Sequence, residues 1–117
     1  MAKTIEIVTP LVYEIDGKTY TLEFNRNSIM SAERAGLVID EVQSAPMSTI
    51  PLLFFAAFKM HHPKITREET DDILFNKLNG LTEEEFKKLA ELYAAPTKSL
   101  FYSAEGDGER KNVKVSL

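Results

Sequence analysis

Hydrophobic positions change their period once along the chain. Up to about residue 24 they alternate, and beyond it they recur at helical spacing. Thr4 to Ile15 is rich in β-branched and aromatic residues. Lys18 to Phe24 alternates, with Tyr20, Leu22 and Phe24 on one side, and Asp16-Gly17 lies between the two runs. A two-residue Asp-Gly loop suits a type I′ turn, because both central residues need positive φ. The pattern therefore predicts an antiparallel hairpin. Thr9-Pro10 interrupts the first strand, and proline cannot donate to a ladder, so a bulge or bend is expected there.

Helical signals fill the rest. Asn27 or Ser28 can cap a helix through Ile29, Met30, Ala32 and Ala35, with Gly36 as its C′ residue. A short polar-apolar stretch, Val38 to Gln43, follows. Ser48 or Thr49 can cap a strongly apolar helix that carries Pro51 in its first turn and should end near His62, before Pro63. Thr66-Arg67-Glu68-Glu69 and Thr82-Glu83-Glu84-Glu85 are capping boxes. The first opens a helix expected to stop at Gly80, and the second one expected to stop near Ala95, before Pro96. Both are amphipathic: Ile73, Leu74 and Leu78 line one, and Phe86, Leu89, Ala90 and Tyr93 the other.

These elements predict an α+β domain over residues 1–103, an N-terminal β-hairpin packed on a small bundle of four to five helices. The apolar helix should be central and the last two helices an antiparallel pair. Residues 104–117 read as a mobile tail, polar and glycine-containing from Ala104 to Lys111. Its end, Asn112 to Leu117, alternates like a strand. The length of 117 residues and a hydrophobic content of 44% suit one domain with its own core.

Charge narrows the function. The net charge is −4, and Thr66 to Glu91 holds four Lys/Arg against eight Asp/Glu, while the remaining charges balance. An acidic helical region argues against a phosphate-tracking surface, so nucleic acid is not an expected partner. No apolar run approaches the roughly 20 residues of a membrane span, and the start does not read as a secretory leader. A membrane is not expected either, and the expected location is the cytoplasm. The absence of cysteine removes disulfides and thiolate chemistry.

Catalytic groups do not converge in the sequence. His61 and His62 are adjacent, which points them about 100° apart on a helix and prevents an i, i+4 metal pair. They read as residues at a fraying helix end. Asp71-Asp72 and Glu83-Glu84-Glu85 sit near helix starts, where negative charge complements the dipole. Glu105 to Glu109 lacks the spacing of a calcium loop. No enzyme activity, cofactor or metal is expected.

The stretch with functional promise is Ile50 to Met60, whose apolar residues surround the whole helix. One reading is a central helix buried on every side. The other is a partner-binding side built on Leu52, Phe54, Phe55 and Phe58, extended by Phe101 and Tyr102.

The hairpin segment Ile15 to Phe24, the run Ala32-Glu33-Arg34-Ala35-Gly36, and Ile50-Pro51-Leu52-Leu53-Phe54-Phe55-Ala56-Ala57-Phe58-Lys59-Met60-His61-His62-Pro63 form a pattern in this order, followed by acidic helices ending at Leu92-Tyr93. Over residues 4 to 102 that pattern resembles the tail assembly chaperones of long-tailed, siphovirus-like bacteriophages and prophages of Gram-positive bacteria. The resemblance implies a protein that binds the tape measure protein before tail tube subunits polymerise around it, and helps recruit the tube protein. It implies action in the bacterial host cytoplasm, absence from the mature virion, and no catalysis. Self-association along an extended client is compatible with it. Other readings are a structural tail or head-tail connector subunit, and a small regulatory protein acting on a host factor.

Overall fold

In a computed structural model, residues 8–100 are described, together with Lys114, Ser116 and Leu117 near the end of the chain. The hairpin comprises β1 (Leu11–Ile15) and β2 (Lys18–Leu22), antiparallel with Ile15 opposite Lys18 and Leu11 opposite Leu22. Asp16 at φ 51° and Gly17 at φ 80° make the type I′ turn. β1 begins directly after Pro10, and Val8 to Pro10 carry no regular structure. The expected strand residues Thr4 to Ile7 lie outside the described part. Alternation places Leu11, Tyr13, Ile15, Tyr20 and Leu22 on the packed face.

Two strands alone are marginal in water, so the hairpin depends on what covers it. The outward edge of β2 is tied to distant residues. The Glu23 N–H donates to the Ala57 carbonyl at 3.0 Å, and the Thr21 N–H donates to Nε2 of His62 at 3.0 Å. His61 Nε2 lies 2.8 Å from Glu23 Oε1. The His62 ring also packs against Tyr20 and Phe58, with centroids 5.4 and 6.1 Å away. The two histidines therefore clamp the hairpin to the end of the apolar helix.

Helix α1 (Arg26–Arg34) starts one to two residues before the expected cap. Asn25, not Asn27 or Ser28, is the N-cap: Asn25 Oδ1 accepts the Ser28 N–H at 2.8 Å, and Ser28 Oγ accepts the Asn25 N–H at 2.9 Å. This is a capping box with serine in place of the usual Glu or Gln. The helix ends in a Schellman motif, with Gly36 at φ 102°, its N–H on Glu33 and the Leu37 N–H on Ala32.

The apolar helix α2 runs Pro46–Phe58 and corrects the expected boundaries at both ends. Pro46 occupies the first position, where its missing N–H is harmless, so Pro51 falls inside the helix and is buried. The bond Pro51 omits is the one to the Met47 carbonyl, in a first turn where Met47 is 78% exposed. At the other end, regular geometry stops at Phe58. The chain turns on a His62 N–H to Phe58 carbonyl bond of 2.8 Å, which brings both histidines to the hairpin.

Thr66 caps α3 (Arg67–Asp72) through its capping box. The helix then widens into a π-helical turn over Ile73–Lys77, closed by the Leu78 N–H on the Ile73 carbonyl and ended at Asn79 and Gly80, both at positive φ. A capping box at Thr82 starts α4 (Glu83–Thr97), which continues past the stop expected near Ala95. Pro96 removes only the bond to the Leu92 carbonyl, and a 3₁₀ turn over Lys98–Leu100 follows. A further 3₁₀ turn, Ile39–Val42, links α1 to α2.

α2 is the centre of the fold and touches β2, α1, α3 and α4. The last two helices are not the expected antiparallel pair: α3 packs mainly on α2, while α4 spreads its contacts over α1, α2 and β1. The apolar residues Ile73 and Leu74 that end this helical segment enter the common core, so it packs on α2 and not along α4. The core joins Leu53, Phe54 and Phe58 of α2 to Tyr13, Leu22, Phe24, Ile29, Leu74, Leu89 and Tyr93.

Candidate functional site

The central helix contributes less surface than its composition suggested. Phe54 and Phe58 are 0% exposed, stacked edge-on to each other at 5.0 Å and to Tyr13 and Tyr20 of the hairpin. They hold the core and cannot touch a partner in the folded chain. Leu52 is half-buried against the same core. Phe55 is half-buried, with Lys59 Nζ 5.4 Å from its ring centroid. Phe101 and Tyr102 lie outside the described residues. Of the four that are described, only Leu52 and Phe55 reach the surface.

An apolar surface does form at the other end of α2. The first turns of α2 supply Pro46, Met47, Ile50 and Pro51, and across from them stand Leu74 and Phe75 of the π turn, Leu81 of the connector and Phe86 of α4. Together they enclose a groove of about 260 Å³. Leu74 and Pro51 are buried, whereas Met47 and Phe75 stay 78% and 47% exposed. Each wall has a local cause. Pro46 starts α2 early enough to add a turn bearing Met47. On the other side, the π turn spans one more residue per hydrogen bond than an α-helix, which displaces the residues after Ile73. Phe75 is then left exposed while Ile73 and Leu74 remain in the core. The Asn79-Gly80 reversal, secured by the Gly80 N–H on the Leu74 carbonyl at 2.8 Å, brings Leu81 and Phe86 back beside it.

The chain belongs to the DUF5055 family. The family model, described as a domain of unknown function, matches residues 1–117. No curated protein matches the chain, and no solved structure does.

Elsewhere in this DUF5055 chain, several polar groups are engaged structurally. A wider, shallower hollow between the hairpin and the 62–65 loop is bounded by Lys18, Tyr20, His62, Lys64 and Glu69, but His62 already spends Nε2 on Thr21. Among the described residues, no group of three or more His, Cys, Asp or Glu could hold a metal ion, and no helix is long and apolar enough to cross a membrane. The Tyr13 hydroxyl is buried and has no hydrogen-bond partner. Burial, reinforced by the nearby Glu85 carboxylate, pushes its ionisation well above the ordinary tyrosine range. Burial and then Glu33 raise that of Tyr93. Asp16 raises that of Lys77, through a 2.9 Å bond that ties the hairpin turn to the π segment.

Met47 and Phe75 were not expected as surface-forming residues. One sequence signal for them exists: a phenylalanine beside the Ile73, Leu74, Leu78 stripe, on the polar side of an amphipathic helix, has no core to enter.

Proposed function

We propose that this protein is a non-catalytic holding protein, a tail assembly chaperone of long-tailed phages and prophages. It binds the tape measure protein in the host cytoplasm, helps recruit tail tube subunits, and leaves before the virion is complete. The observation that supports the reading best is the exposed apolar groove between α2 and the Phe75–Phe86 region. A holding protein needs an apolar contact that is open in the absence of its client, and the groove has that property.

The test is co-expression with the tape measure protein of the same phage or prophage, followed by pull-down and by analysis of purified particles. Soluble tape measure protein recovered with the chain, and no chain in finished particles, is the expected result. Recovery of the chain as a stable virion component would replace the reading with a connector subunit. A folded chain that captures no tape measure protein would end it.

A further inference from the structure

The groove is apolar within and acidic at its borders. Glu83 lines it, and Phe75 is shared with a neighbouring hollow formed by Glu68, Glu69, Asp71 and Asp72 of α3. Only part of this charge is neutralised. Arg67 pairs with Asp71 at 3.0 Å, whereas Asp72 accepts from the neutral Asn76 amide and the Glu69 carboxylate accepts from the N–H and hydroxyl of Thr66. Glu68 meets no partner among the described residues. Lys77 is held by Asp16 on the hairpin turn, and Lys87 lies 3.6 Å from Glu83 with both side chains largely exposed, a pairing that contributes little.

The walls also restrict the shape of an occupant. They are built from helices and a capped connector, whose backbone groups are mostly spent on their own hydrogen bonds, the Met47 carbonyl that Pro51 leaves being the exception. An extended segment laid between them would leave its N–H and C=O groups facing apolar side chains, which is costly. A helix arrives with those groups already satisfied. At about 260 Å³ the groove is smaller than most small-molecule sites and suits a few side chains presented from one face.

We infer that the groove takes a single amphipathic helix of the partner protein. Its apolar anchors lie over Met47, Ile50 and Phe75, and its Lys or Arg residues flank those anchors to face Glu83, Asp72 and Glu68. The inference rests on the proposal that the groove is where a client is held. The acidic border speeds encounter and selects against acidic helices, and the apolar floor supplies most of the affinity.

A labelled amphipathic peptide of about 18 residues, five helical turns, tests this by fluorescence anisotropy. One version carries leucines on one face with flanking lysines, and a matched version carries glutamates instead. The lysine peptide should bind saturably and about tenfold more tightly than its partner, with the advantage shrinking as salt rises. Met47→Asp should weaken it about tenfold without unfolding the chain, since Met47 is 78% exposed in a first helical turn that favours negative charge. Phe75→Ser should do the same, and the Glu68→Gln/Asp72→Asn double variant should erase the preference between the two peptides while leaving binding. No binding, equal binding of both peptides, or binding indifferent to Met47→Asp overturns the inference. So does a dimer that Met47→Asp dissociates, or binding seen only after truncation at Ser103, since the occupant would then be a second copy or the chain's own tail. If the peptide binds but the tape measure protein is not captured, the chaperone reading fails and the groove assignment stands. If tape measure capture survives Met47→Asp and Phe75→Ser, the groove assignment fails alone.

Discussion

Replacing Tyr13 by phenylalanine asks whether a buried hydroxyl opposes the fold. The Tyr13 ring lies on the packed face of β1, 6.1 Å from Phe54, and phenylalanine retains that contact. What changes is the hydroxyl, which is buried without a hydrogen-bond partner, while the nearby Glu85 carboxylate uses Oε1 to accept the Thr82 N–H at 2.8 Å. An unpaired buried polar group costs about 1–3 kcal/mol. Tyr13→Phe should therefore stabilise the chain by about 1 kcal/mol, or about 4 °C in Tm for a domain of this size. Urea unfolding followed by circular dichroism measures it. A second readout is alkaline pH. A tyrosine whose ionisation is raised in the fold contributes stability in full below its unfolded value, about 10, and that contribution is lost as pH climbs towards the folded value. Wild-type stability should fall above about pH 10, by at most about 1.4 kcal/mol per pH unit for each such tyrosine. The variant should fall less steeply, with Tyr93 accounting for part of the remainder. Destabilisation of the variant by about 1 kcal/mol at neutral pH would refute the reasoning and mean that Tyr13 donates to Glu85.

Other positions give outcomes of different size. Phe54→Ala empties the centre of the core and should cost about 3–5 kcal/mol, enough to remove cooperative urea unfolding in a domain this small. His62→Ala orphans the Thr21 N–H and removes a ring packed on Tyr20 and Phe58, so a loss of about 1–3 kcal/mol is expected, with faster hydrogen exchange at the Thr21 amide as its local signature. Asp16→Asn breaks the charge pair with Lys77 while keeping a residue that tolerates φ 51°, and because that carboxylate is 74% exposed the thermal melt should barely move. Gly17→Ala meets no atom within 4 Å and yet must hold φ +80°, so a cost of about 1 kcal/mol should appear from backbone strain alone.

Features written in neighbouring residues were legible in the sequence. Asp16-Gly17, Thr66 with Glu69, Thr82 with Glu85, and Gly36 after α1 each satisfy their backbone partners within a few residues, and all appear as read. Prolines were harder to place. Pro46 and Pro51 both qualify for a first helical turn, and only the packing of Pro51 into the core shows that the helix begins at Pro46. The same holds for Pro96, which α4 absorbs at the loss of one bond. Contacts across the fold were out of reach. His61 and His62 carry no local hint of Glu23 and Thr21, which lie 38 and 41 residues away. The groove was hidden for a related reason. The apolar richness of α2 marked the right helix, but Phe54 and Phe58 spend themselves on the core, and the open surface comes from Met47 together with residues 74–86.

The histidine clamp also sets a timetable. The hairpin is synthesised first, and it can form within microseconds, yet both ties on its β2 edge wait for Ala57 and His62. At ribosomal speeds, the 41 residues between Thr21 and His62 take about 2–8 s to add. Until α2 is made, Tyr13 and Tyr20 lack the Phe54 and Phe58 rings they pack against, and a two-stranded ribbon alone is marginally stable. The hairpin is thus tied at its edge only once the two histidines have followed it, and its core is complete only with Leu89 and Tyr93.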